Sequence, residues 1–68
     1  MMNGLVVKRG TEYLARKQCR SAYADEDGFN WSEELQAARV YQNHETACRA
    51  ARRVGGTVRM MKDGRVVE

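Results

Sequence analysis

"NHETACRAARRVGGTVRMMKDGRVVE", residues 43–68, decides how this chain folds, because it carries a helix signal and a hairpin signal in succession. Asn43 is a strong N-cap, since its side-chain oxygen accepts from the free backbone N–H groups of the next turn, and Gly55 is placed for the left-handed stop. The helix is expected from His44 to Val54. At 100° per residue, Ala47, Ala50, Ala51 and Val54 share one side, while Glu45, Arg49, Arg52 and Arg53 share the other. The small alanines let such a helix lie close on a sheet. Asp63-Gly64 then marks a two-residue hairpin that pairs Lys62 with Arg65, Met61 with Val66, Met60 with Val67 and Arg59 with Glu68.

Working toward the N-terminus, "ARVY" at 38–41 reads as a brief strand, and Ser32 before Glu33 and Glu34 caps a short turn. Trp31 and Leu35 pin that turn to the core. Within "CRSAYADEDGFN", residues 19–30, a short strand is expected around Ser21 to Ala24, followed by an acidic turn from Asp25 to Gly28. The first residues form a hairpin of Leu5 to Lys8 and Glu12 to Arg16 around Arg9-Gly10. A three-residue loop sets Lys8 opposite Glu12, a favourable cross-strand pair, and is expected over the two-residue loop. The predicted architecture is α+β: a single helix packed on a small antiparallel sheet made of an N-terminal hairpin, a short middle strand and a C-terminal hairpin.

With 68 residues, one domain spanning 1–68 is expected, and a chain of this length buries only about 60% of its unfolded surface. Substrate pockets typically need about 300 Å³ or more of concave volume, so size argues against an enzyme. The longest apolar run, Leu5-Val6-Val7, is far short of the roughly 20 residues that span a bilayer. A soluble cytoplasmic protein without membrane contact is the expectation. Cys19 and Cys48, with no secretory signal, are read as free thiols. Charge is uneven: +4 over residues 1–24, −5 over 25–34 and +4 over 35–68.

Tyr13-Leu14, Trp31, "ARVY" (38–41), "NHETA" (43–47) and "GGTV" (55–58) together resemble a pattern common in small proteins of phage and prophage origin. The resemblance implies the α+β fold, a phage-type genetic setting and thus a host cytoplasm, and it brings no activity. The segment "KQCRSAYADEDGFN", residues 17–30, departs from the pattern.

Two surfaces stand out. Apolar residues fall on both faces of the strands, yet one helix covers one face. With Leu5, Val7, Tyr13, Ala15, Val58, Met60 and Val67 assigned to the helix side, Val6, Leu14, Met61 and Val66 form a patch on the other. That patch is either a partner surface, a homodimer contact included, or the floor beneath the acidic segment with Phe29 or Trp31 folded over it. The second surface is basic: Arg49, Arg52 and Arg53 on the helix, with Arg39 and Arg59 beside them. Cationic side chains there neutralise phosphates or simply form a solvated face that offsets the helix dipole.

His44 and Cys48, one turn apart, make half a zinc site to which Cys19 is a conceivable third ligand, but a fourth is missing and no metal is expected. No base–nucleophile pair and no glycine-rich phosphate loop is evident, so neither a catalytic residue nor a cofactor is assigned. The leading expectation is a non-enzymatic protein-binding module, an inhibitor acting on a host nucleic-acid machine by steric occlusion. The alternative is a nucleic-acid-binding accessory protein that uses Arg39, Arg49, Arg52, Arg53 and Arg59.

Overall fold

The computed structural model describes residues 3–16 and 22–67. The elements run β1 (Gly4–Arg9), β2 (Glu12–Leu14), β3 (Tyr23–Ala24), β4 (Asn30–Ser32), a 3₁₀ turn (Leu35–Ala37), α1 (His44–Val54), β5 (Thr57–Lys62) and β6 (Arg65–Val67). The strands form one antiparallel sheet in the order β3-β4-β2-β1-β5-β6, and α1 packs against β1 and β5. This is the expected α+β arrangement of one helix on an antiparallel sheet, with the N-terminal hairpin at its centre and the C-terminal hairpin at one edge.

Local chemistry sets the helix and the second hairpin where the sequence places them. The Asn43 side chain accepts from Glu45 N at 2.8 Å and Thr46 N at 3.4 Å, and Gly55 ends α1 in the left-handed region at φ 71°. Asp63 and Gly64 both take positive φ, 53° and 76°, the signature of a I′ turn whose twist matches that of the strands. Met60 therefore faces Val67, Met61 faces Val66 and Lys62 faces Arg65, as expected. The expected pair of Arg59 with Glu68 lies outside the described residues, because Glu68 does.

The N-terminal hairpin differs from expectation by one residue. Arg9 pairs with Glu12 and Lys8 with Tyr13 across a two-residue turn of Gly10 and Thr11, with Gly10 at φ 64°. A one-residue slip moves every β2 side chain to the opposite face. Leu14 consequently joins Val7, Trp31, Ala51 and Val54 in the helix-side core, while Tyr13 packs with Val6 and Met61 beyond the sheet. Magnitudes explain the outcome: a cross-strand charge pair contributes about 0.2–1 kcal/mol, whereas burying a leucine contributes about 1.5–3 kcal/mol. The observed register also retains a charge pair, since Arg9 stands opposite Glu12.

The middle of the chain holds two short strands rather than one. Tyr23–Ala24 is the expected strand, shortened, with Ser21 outside the described residues. Trp31 lies in the core, as expected, and reaches it from β4, a strand that pairs with β2 and β3; it is fully buried against Leu14 and Val7. Ser32 does accept from Glu34 N at 3.1 Å, but the helical turn that follows is the 3₁₀ turn. The brief strand expected over Ala38 to Tyr41 is reduced to two isolated antiparallel bridges, Ala15 with Ala38 and Leu5 with Tyr41.

Those bridges hold a strap. The chain from Leu35 to Tyr41 crosses from β2, where Arg39 N donates to Leu14 O and Arg16 N to Ala37 O, to β1, where Leu5 and Tyr41 exchange hydrogen bonds of 2.8 and 2.7 Å. Along the way Leu35, Ala38 and Val40 pack onto Val6, Met61, Tyr13 and Val66. The outer sheet face is thus closed by neither route foreseen: Phe29 and Trp31 belong to the helix-side core, and the strap does the covering.

Candidate functional site

The proposed apolar patch does not exist as a surface. Val6, Leu14 and Met61 are buried and Val66 is half-buried, and Leu14 lies on the opposite face from the other three. The error follows from the hairpin register and from the strap, which strand periodicity alone does not reveal. Among the described residues, Met60 and Val67 are apolar side chains that do reach solvent, 56% and 50% exposed; they pair across β5–β6 on the face of Val58, the helix side as expected, but lie uncovered at that edge of the sheet.

The basic residues separate into groups. Arg49 and Arg53 stand one turn apart on α1, and Arg39 comes toward them from the strap, anchored by its backbone bond to Leu14. Together with Tyr41, Thr46 and Ala50 they surround an open hollow of about 540 Å³. The Arg39 guanidinium lies 5.9 Å from the centre of the Tyr41 ring, within cation–π range. Behind this hollow lies a recess of about 120 Å³ lined by Leu14, Ala15, Phe29 and Asn30; it shares Arg39, Tyr41, Ala50 and Arg53 with the outer space. Arg52 instead borders a separate hollow with Glu45, Cys48 and Arg49, and Arg59, opposite Val6 in the register, lies on the other face of the sheet.

Electrostatically, Arg49 is partly answered by Glu45, 3.5 Å away and well exposed, so the pair itself contributes little to stability. Among the described residues neither Arg39 nor Arg53 has a carboxylate partner. Two unpaired guanidiniums beside a tyrosine and an apolar recess can hold a carboxylate or phosphate through paired N–H donors while an apolar group is buried behind it.

Sequence reasoning missed a second constellation. The Arg9 guanidinium stacks 3.8 Å above the Trp31 ring, donates to Val54 O at 3.2 Å and reaches Asp25 at 4.0 Å. Trp31 Nε1 donates to Asp25 Oδ2 at 2.7 Å, and Asp25 Oδ1 accepts from the backbone N–H groups of Asp27 and Phe29, both at 2.9 Å. The hydrogen bond from Trp31 is the main reason the Asp25 carboxyl is held below the usual carboxylate value, with the two backbone donors and Arg9 adding to it against desolvation. Nearby, the Tyr23 phenol is pushed up, first by its hydrogen bond to Glu12. Asp25 is therefore a structural lock joining the acidic turn to the helix end. Its signal in the sequence was the Asp-x-x-Gly spacing of Asp25 and Gly28, the mark of a side-chain-closed turn.

His44 and Cys48 sit side by side, with Sγ 3.6 Å from both ring nitrogens. Cys19 lies outside the described residues, among which no group of three or more His, Cys, Asp or Glu side chains is arranged to hold a metal. No helix among the described residues is long and apolar enough to cross a membrane. Comparison of the chain with family models, curated proteins and solved structures found no match to any of them.

Proposed function

We propose that this protein is a small non-enzymatic binding module that docks an acidic surface of a partner protein against the arginine hollow and acts by occluding that surface. Of the two docking surfaces expected from the sequence, the sheet patch is buried and the basic face remains. The observation that carries the reading is the convergence of Arg39, Arg49 and Arg53 around Tyr41 with two of the three charges unanswered among the described residues. Arginine and tyrosine are the residue types that dominate binding hot spots, and a local cluster of charge sets orientation and association rate. A partner within a host nucleic-acid machine, the target expected for such an inhibitor, belongs to the same proposal.

The nucleic-acid reading is weaker because a phosphate backbone asks for a continuous cationic track. Arg52 turns to another hollow, Arg59 to another face, and Glu45 shares the ground with Arg49. Titration of labelled duplex DNA and single-stranded RNA across salt concentrations tests this. No appreciable binding is expected at about 150 mM salt, where charges more than roughly 8 Å apart are screened. Tight duplex binding that falls with a log–log salt slope near −3, as about 0.9 counter-ions per contact predicts for a three-arginine clamp, and that is lost in Arg53→Glu, would replace the protein-docking reading with the nucleic-acid one.

A further inference from the structure

The paired hollows define more than a basic surface, because they share Arg39, Arg53, Tyr41 and Ala50 as a common wall. A ligand held by Arg39 and Arg53 therefore borders both the open hollow and the recess. The recess, at about 120 Å³, is less than a quarter of the 540 Å³ outer hollow, the scale of a single side chain rather than of a peptide segment. Its walls agree: Leu14, Ala15, Ala50 and the half-buried rings of Phe29 and Tyr41 offer apolar contact, with Asn30 as the uncharged polar group. Among the described residues the exposed aromatic is Tyr23, which lies with Glu12, Glu33 and Glu34 in an acidic hollow, so no open stacking platform accompanies the arginines.

We propose that the site takes an acidic peptide segment, its carboxylates on Arg39, Arg49 and Arg53 and one aliphatic side chain inserted into the recess between Ala50, Phe29 and Tyr41. This rests on the protein-docking reading and specifies the chemistry of the partner. The wide outer hollow accommodates an extended backbone with more than one carboxylate. The small inner one selects the anchor. Charge complementarity chooses an acidic chain over a basic or neutral one, and the apolar walls of the recess choose an aliphatic side chain over a polar one.

The probe is a fluorescein-labelled peptide, Glu-Asp-Leu-Asp-Glu, followed by anisotropy against the full chain, with a leucine-to-alanine peptide and a labelled oligothymidylate alongside. Saturable binding of the leucine peptide is expected, weakened about tenfold or more by the change to alanine, since burying a leucine side chain contributes about 1.5–3 kcal/mol. Arg39→Ala and Arg53→Ala should weaken it by a similar factor while circular dichroism shows the fold intact, and Arg59→Ala, on the other face, should leave it unchanged. Equal affinity for the leucine and alanine peptides overturns the anchored-peptide proposal while leaving acidic docking standing. Failure of every peptide to bind, with the oligothymidylate bound through Arg39 and Arg53, overturns both.

Discussion

At the scale of single residues, the chain assigns its charged side chains to two different tasks. Arg9 and Asp25 are consumed by structure, each satisfied by several partners around Trp31, whereas Arg39 and Arg53 have no carboxylate partner among the described residues. The distinction gives a pH prediction. Asp25 is held below its ordinary carboxylate value when folded, so its stabilising contribution is present at neutral pH and is lost as pH falls from about 4 through the lowered folded value. Melting curves of the wild type and Asp25→Ala should differ at pH 7, with the variant lower, and the gap should narrow as pH falls below about 4. A gap that stays constant with pH would mean that the carboxylate charge is not what Trp31 and the turn depend on. The like charges of "DED" at 25–27 were easy to see; that the first of them is a half-buried acceptor was not, because Trp31 and Arg9 reach it only once the sheet is assembled.

At the scale of elements, what was legible was what local rules decide. The helix ends on its own cap and its own glycine, and the C-terminal hairpin turns on Asp63-Gly64, so both follow from a few adjacent residues. The register of the first hairpin was hidden because Leu14 finds its partners in Trp31 and α1, far along the chain, and their burial outweighs a local charge pair. The strap was hidden for the same reason: Ala38 and Val40 are held by contacts to Val6, Met61 and Gly4 rather than by a repeating pattern. Gly4 gives a direct test of it. A Cβ there would stand 2.5 Å from Val40 Cγ1 and 2.9 Å from the Tyr41 carbonyl oxygen, closer than carbon contacts allow. Gly4→Ala should therefore cost about 1–3 kcal/mol, the range for overpacking, read as a lowered midpoint in urea with an unchanged slope. A midpoint equal to that of the wild type would show that the strap does not lie against β1.

At the scale of the whole molecule, the strap and the hairpin register together determine which surface is left for function. By covering Val6 and Met61 the strap removes the apolar patch from view, and the same stretch carries Arg39 and Tyr41 across to α1. Of the five basic residues named from the sequence, helical periodicity put Arg49, Arg52 and Arg53 on one face. That Arg39 joins Arg49 and Arg53 while Arg52 and Arg59 do not depends on tertiary placement. Three glutamates gather elsewhere, Glu33 and Glu34 beside Glu12 and Tyr23, so an acidic hollow lies apart from the one formed by Arg39, Arg49 and Arg53, and the two can orient an approaching partner. The most direct measurement is a ¹⁵N-resolved NMR titration of the protein with the acidic leucine peptide. The account predicts shifts concentrated at Arg39, Tyr41, Arg49, Ala50 and Arg53, with Val6, Met61 and Arg59 unmoved. Shifts centred on Met60 and Val67, or on Val6, Met61 and Val66, would contradict it and move the binding surface to the sheet.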